Sequence, residues 1–217
     1  LTLSAQDVHR DNIRRFYKPS EKNTNDRRGI GLNYKWSSPN EVIEHLEFNL
    51  YYQNKEDRRY WLNNGNKGIA ATQTYSFNTQ VISQLPENHI LTCGLAYQRD
   101  DGESADDEQF TVTKPNGTKT KPAPDTIWQD YGLYIQDEWE ITPRINLTTS
   151  LRYDRFAFES IVDQYYQPPG GWNPKLDEYT TDKNSFIGGI STLYHYNEDI
   201  NLMMSYARGY RLWAPRF

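Results

Sequence analysis

The chain alternates apolar and polar residues on both sides of a short turn between Trp128 and Tyr153. At a period of two, the first arm places on one face Tyr131, Leu133, Ile135, Trp139 and Ile141, and on the other face Asp130, Gln136, Glu138 and Glu140. After Thr142, Pro143 and Arg144, the second arm alternates again, with apolar Ile145, Leu147, Leu151 and Tyr153. This period predicts a β-hairpin. Asp137 breaks the pattern, because it falls in the apolar register, and the sequence offers no explanation for it.

Both arms of this hairpin run to about a dozen residues, whereas strands of globular proteins are typically about five or six residues long. The polar face carries charge along its whole length. A strand this long, apolar on one side and polar on the other, is typical of a wall between lipid and a water-filled lumen.

The same alternation recurs along the chain and predicts nine strands. They lie within residues 1–9, 30–36, 46–60, 75–81, 91–97, 128–141, 145–153, 186–196 and 200–206. The connections between them alternate, short at Ser37, Pro86, Pro143 and Asn197 and long at Arg10, Asn63, Asp100 and Ser160. All eleven prolines are expected outside the strand cores, as a hydrogen-bonded wall requires. This rhythm favours an all-β, antiparallel up-and-down transmembrane barrel segment, with odd-numbered strands running outward.

Composition excludes one class of membrane protein and leaves others open. No stretch approaches the roughly 18 to 20 consecutive apolar residues of a membrane-spanning helix, and the mean hydropathy is −0.92. Every second residue of a barrel strand is polar, so a barrel tolerates this value. The 17 Tyr and 6 Trp suit the aromatic girdles of a barrel, with Trp36 and Trp139 as candidates. They also suit an aromatic-rich, sugar-binding sandwich.

Charge and cysteine content narrow the possible partners. With a net charge of −5 and basic residues scattered in pairs such as Arg27/Arg28 and Arg58/Arg59, no nucleic-acid partner is expected. These pairs are interpreted as solvated loop or strand-end charges. The single Cys93 forms no internal disulfide and no cysteine-rich metal cage. The acidic run from Asp100 to Glu108 lacks the spacing of an EF-hand, and no metal site is predicted.

Two segments then resemble a known family. GLYIQDEWEITPRINLTTSLRYDRF and the later MMSYARGYRLWAPRF are similar to a hairpin and to a strand and loop in the barrel of TonB-dependent outer-membrane receptors. The chain departs from the family pattern at Ser150, where glycine is frequent, and at Leu212 and Trp213, which interrupt the second motif.

The resemblance implies a large barrel, typically of about 22 strands, closed by an N-terminal plug domain that is not visible in residues 1–217. Such receptors lie in the bacterial outer membrane among lipid and lipopolysaccharide. They import iron chelates, haem or ferric siderophores, and the TonB complex supplies energy through the plug. No covalent cofactor and no enzymatic activity are expected, and haem is slightly favoured as cargo because YRLWAPRF resembles a stretch of haem receptors.

Candidate cargo contacts come from the predicted outer loops. Haem import requires His or Tyr near the outer mouth as an axial ligand, and His9 is the only histidine that approaches a long connection. The full candidate set is His9, Tyr17, Trp61, Tyr165, Tyr166, Trp172, Tyr210 and Arg211. Packing of the loops on themselves explains the aromatic members equally well.

Two alternatives stay open at this point. One is a soluble β-sandwich that binds carbohydrate, and the other is a small passive outer-membrane barrel or porin. A second layer covering the apolar faces of the strands would overturn the membrane interpretation.

Overall fold

A computed structural model describes residues 1–15, 18–38, 42–62, 67–103, 124–162, 166 and 179–209, without the side chains of residues 15, 18, 61 and 67. This part of the chain forms one antiparallel sheet of nine strands in sequence order. The strands are β1 (Thr2–Arg15), β2 (Lys18–Ser37), β3 (Ile43–Trp61), β4 (Lys67–Leu85), β5 (His89–Glu103), β6 (Asp125–Thr142), β7 (Ile145–Ile161), β8 (Thr180–His195) and β9 (Asn201–Arg208). The predicted all-β, up-and-down architecture is confirmed. No described helix is long and apolar enough to cross a membrane.

Short connections join the strands at one end of the sheet, between β2 and β3, β4 and β5, β6 and β7, and β8 and β9. We call this the inner end and the opposite one the outer end. At the outer end the connections after β5 and β7 are long, as predicted. The first two are not, because β1 ends at Arg15 only two residues before β2, and β4 begins at Lys67, five residues after β3.

The predicted long connections at Arg10 and Asn63 are therefore wrong, and tall hairpins replace them. Beyond the lipid both faces of a strand meet water, so the strand no longer needs to alternate apolar and polar residues. The backbone ladder continues from His9, opposite Asp26, to Arg14, opposite Lys22. Cross-strand ion pairs accompany it, such as Arg28 with Asp7 at 3.6 Å. Alternation in the sequence therefore reveals only the part of such a hairpin that faces lipid, and not the part that extends beyond it.

Pro19 lies within β2, but as its second residue it stays outside the strand core, as expected. The register of the β1–β2 ladder shifts between Lys22 and Lys18, and Glu21 is the first residue of β2 that pairs with β3. The missing N–H of proline thus falls where no ladder position is paired.

Within the described residues, no layer covers the apolar face of the sheet. Among the described residues only two large hydrophobic side chains are buried, Ile69 and Tyr166. By contrast, Leu133, Leu151 and Phe186 are each more than half exposed. A soluble sandwich would cover these side chains with a second sheet, so that alternative is wrong. Lipid is the solvent that suits an apolar face between two wet ends.

Paired aromatic rings mark the outer limit of the lipid-facing band. Ring centroids lie 5.1 Å apart for Tyr52–Tyr75, 4.8 Å for Tyr97–Tyr131 and 4.9 Å for Tyr153–Phe186. On the same face, nearer the outer end than these rings, arginines pair with carboxylates: Arg58 with Asp26, Arg99 with Asp101, and Arg155 with Asp182. The change from aromatic to charged side chains is typical of the boundary between the acyl chains and the aqueous side.

At the inner end, Trp139 lies on the apolar face, and the ring of His89 stacks on it at 4.9 Å. This region also explains Asp137. Its carboxylate lies 2.9 Å from Nδ1 of His89 on the neighbouring strand. The residue therefore tolerates an apolar register because it is paired and lies close to the inner girdle.

The opposite face, which we call the lumenal face, is bound together by polar side chains. Lys35 contacts Glu47 at 3.1 Å, and Arg152 donates to Asp154 at 2.8 Å. Asp154 is only 3% exposed. This face therefore carries paired polar side chains, whereas the other face carries uncovered apolar ones. The sheet has the two different faces that the sequence predicted.

Candidate lumenal binding surface

The outer end of the lumenal face carries a basic cleft at β1, β2 and β3. Alternation places Arg10, Arg27, Lys55 and Arg59 on this face, in the outer half of their strands. Lys55 lies opposite Arg27 in the ladder, and Arg10 lies opposite Asn25. The cleft encloses about 380 Å³ and is lined by Arg10, Ile13, Asn23, Asn25, Arg27, Lys55, Asp57, Arg58 and Arg59. Its volume lies within the range of small-molecule sites.

Asp57 is the single carboxylate of this cleft. Burial raises its pKa, but hydrogen bonds from Lys55 and Asn25, with the charges of Lys55 and Arg59, outweigh burial and hold the pKa below its usual value. The Lys55 ammonium lies 2.8 Å from the carboxylate. Asp57 is therefore ionised at neutral pH and neutralises one of the surrounding cations.

A second feature of the outer lumenal face is a cluster of aromatic rings on β6, β7 and the start of β8. The ring of Trp128 lies 6.3 Å from that of Phe156 and 6.1 Å from that of Phe158. Phe158 in turn lies 6.2 Å from Tyr179. The first three are half-buried and Tyr179 is 41% exposed. Such a surface is suited to contact with a flat, apolar part of a ligand.

Below these two features the lumenal wall is tightly packed. The ring of Tyr134 fills the space above Gly94, where an added Cβ would lie 2.5 Å from the ring. The guanidinium of Arg152 crosses over Gly132 in the same manner, 2.7 Å from the position of an added Cβ. Glycine at both places lets long side chains lie flat along the wall.

His9, the predicted axial ligand, lies in β1 and is exposed. It shares its register with Leu3 and Ala5, which places it on the apolar side of the wall rather than in the lumen. Its Nδ1 contacts the Asp26 carboxylate. The structure therefore does not bring it to the lumenal surface.

The other predicted contacts divide into described and undescribed residues. Tyr166 is described and is buried, with 8% of its surface exposed. The backbone of Trp61 ends β3, in lumenal register with Arg59, but its side chain lies outside the described part. The remaining candidates, Tyr17, Tyr165, Trp172, Tyr210 and Arg211, lie outside the described residues.

Histidines at the inner end occupy the predicted places. His45 and His195 lie next to inner-end turns, like His89. Within the described ranges no group of three or more His, Cys, Asp or Glu residues is arranged to hold a metal ion.

The basic cleft and the Trp128 cluster were not predicted, although the sequence contained a signal for the cleft. Adjacent residues of a strand point to opposite faces. Each pair, Arg27/Arg28 and Arg58/Arg59, therefore sends one arginine into the lumen and the other outward. The pairs had been assigned to solvated loops and strand ends, because β2 was expected to begin only at Ile30 and Arg58/Arg59 lie at the end of the predicted third strand.

The model of the family "TonB dependent receptor-like, beta-barrel" matches residues 2–217. The chain belongs to this family. Members of the TonB-dependent receptor family are outer-membrane proteins, which agrees with the uncovered apolar face. Among curated protein sequences none matches the chain.

Solved structures support the fold assignment. The apoprotein form of the FrpB iron transporter from Neisseria meningitidis (F5-1 variant) superimposes with a TM-score of 0.63 at 20% identity, over 97% of this chain and 34% of that one. The copper transporter OprC gives 0.62 at 16% identity, over 90% and 31%. The ferric-catecholate import receptor Fiu from E. coli K12 gives 0.54 at 13% identity, over 86% and 35%. The chain thus spans about a third of the length of these TonB-dependent receptors.

Proposed function

We propose that this chain forms part of the barrel wall of a bacterial outer-membrane receptor that takes up an iron chelate with energy from the TonB complex. One observation supports this most directly. A single sheet exposes its apolar face between two aromatic girdles, while its lumenal face carries a basic cleft and an aromatic cluster at the outer end.

Iron is proposed over copper because the sheet also matches FrpB and Fiu, whose names state iron and ferric catecholate. The preference for haem over a siderophore rests on the segment that contains Tyr210 and Arg211, which lies outside the described residues, and it stays a prediction. The cargo is transported, and no covalently bound cofactor or catalytic group is proposed.

In this proposal residues 1–217 belong to the barrel, and a plug domain, which the segment does not include, contacts TonB. Lipopolysaccharide and other outer-membrane lipids contact the apolar face below the row of Arg28, Arg99 and Arg155. No nucleic acid takes part.

Uptake by cells lacking the gene tests this function. Radiolabelled iron is supplied as haem, a tris-catecholate complex and a tris-hydroxamate complex, with and without the natural gene. The gene is expected to restore uptake of at least one complex, and loss of TonB is expected to abolish that uptake. Uptake that persists without TonB would indicate a passive barrel. No gene-dependent uptake of any of the three would refute the proposal.

A further inference from the structure

Four outward-facing arginines beyond the girdle and three arginines of the cleft differ in their salt bridges. On the apolar side, four arginines have carboxylate partners: Arg28 with Asp7, Arg58 with Glu56 and Asp26, Arg99 with Asp101, Arg155 with Asp182. On the lumenal side, Arg10, Arg27 and Arg59 have no ion pair with any other described residue. The chain thus places an acid beside each of these four outward arginines, whereas the lining of the cleft holds a single carboxylate, Asp57.

The charge of the cleft is correspondingly high. Its lining holds five cations, Arg10, Arg27, Lys55, Arg58 and Arg59, and one carboxylate, Asp57. Arg58 is already bound to carboxylates on the other face, and Lys55 to Asp57. Arg10, Arg27 and Arg59 therefore face the cleft without a salt bridge to a described residue, although the charge of Asp57 also acts on Arg59.

Arg27 carries the most specific signal. Its Nε is buried and has no hydrogen-bond partner in the described structure. A buried donor of a charged group without a partner is costly, typically about 1 to 3 kcal/mol or more. Lys55 lies directly opposite in the ladder and adds a second positive charge. An anionic ligand that accepts a hydrogen bond from Arg27 would remove this cost, and guanidinium is well suited to carboxylate and phenolate oxygens.

The geometry points to the cleft of Arg10, Arg27 and Arg59 as the subsite that binds the anionic part of the cargo, so that this receptor selects negatively charged metal chelates over neutral ones. The inference rests on the proposed function. The low-dielectric wall beside the cleft strengthens its field, which also attracts anionic cargo to the mouth before contact. The Trp128 cluster on the same wall supplies the apolar counterpart.

The test compares the binding of two iron(III) complexes that have a similar octahedral shape but different charge. One is a trianionic tris-catecholate, and the other is a neutral tris-hydroxamate. Equilibrium binding is measured in outer-membrane vesicles that carry the protein expressed from its natural gene. The test variant is R27Q/R59Q. The matched control, R28Q/R99Q, removes two arginines from the other face at the same end of the sheet. Heat-modifiable migration on gels checks that each variant is folded.

The unmodified protein is expected to prefer the trianionic complex. R27Q/R59Q is expected to weaken its binding by about 100-fold, because two charge-assisted hydrogen bonds are lost at about tenfold each, and to flatten its salt dependence. R28Q/R99Q is expected to change binding less than about threefold.

Three results would contradict the inference. Equal binding of both complexes by the unmodified protein, or an equal loss in R27Q/R59Q and R28Q/R99Q, overturns the anionic subsite and leaves the proposed function standing. Displacement of the trianionic complex by inorganic phosphate at equal concentration shows a general anion site and also overturns chelate selectivity. If neither complex binds and the uptake test above also fails, the proposed function itself is refuted.

Discussion

Ile135 offers a direct test of which face of the wall meets lipid. It lies on the apolar face of β6, opposite Cys93 on β5 and Leu151 on β7, and is 46% exposed. The next residue, Gln136, points into the lumen. Replacing Ile135 by arginine places a charge among acyl chains, whereas replacing Gln136 by arginine places the same side chain in water.

The position of Ile135 in the lipid band sets the expected magnitude. Tyr131 of the outer girdle and Trp139 of the inner girdle are 139 − 131 = 8 residues apart on the same strand. At about 3.3 Å per residue this is about 26 Å along the strand, or about 20 Å across a membrane at a tilt of about 40°. Ile135 is midway, where an outward arginine costs about 2 to 4 kcal/mol.

I135R is therefore expected to lower the folding equilibrium constant in lipid vesicles by roughly 30- to 700-fold. Q136R is expected to change the free energy of unfolding by less than about 0.5 kcal/mol. Guanidinium titrations of both variants and the unmodified protein, followed by tryptophan fluorescence, measure the difference. If Q136R is destabilised as much as I135R, the two faces have been assigned wrongly or both are wet.

Three further variants test local features. G94A is expected to destabilise the barrel by about 1 to 3 kcal/mol in the same titration, because a Cβ would meet the Tyr134 ring; if the clash is the cause, Y134A removes most of the difference. H89A is expected to cost about 1 to 3 kcal/mol by leaving Asp137 unpaired near lipid, and the cost should vanish in D137N; an equal cost in both backgrounds would contradict the pairing. Folding lowers the pKa of the Asp57 carboxyl. Its contribution to the free energy of unfolding is therefore present above the unfolded pKa of about 3.9 and is lost as pH falls through the folded pKa. A D57N variant should lack this loss of stability at acid pH when unfolding is measured as a function of pH.

The nine strands were predictable because lipid imposes alternation on every residue that faces it. Asp137 shows the limit of that signal. Its partner His89 is 48 residues away in the sequence, and only the register of β5 against β6 brings the two together. The outer ends of the hairpins, from His9 to Asp26, were missed because water on both faces removes the constraint that makes a strand visible in sequence.

The candidate surface was less predictable for the same reason. Arg27 lies in the part of its hairpin that periodicity did not reveal, and Arg59 lies at the end of a predicted strand, so their common face and common cleft followed only from the ladder between β2 and β3. Trp128 was recognised as the start of a strand, but its neighbours Phe156 and Phe158 come from the next strand at an offset that no local pattern fixes.

The edges of the sheet impose one more requirement on any working receptor. β1 pairs only with β2, and β9 only with β8, so each presents an edge of backbone N–H and C=O groups without partners in the described sheet. Met203 and Met204 on β9 are more than 70% exposed. Hydrocarbon cannot hydrogen-bond to an open edge, and open edges do not occur at membrane depth. In the membrane both edges must therefore pair with further strands, and those strands close the lumen opposite the basic cleft. In the receptor proposed above, the cargo site is consequently shared, with anion recognition on this wall and the remaining contacts supplied across the lumen.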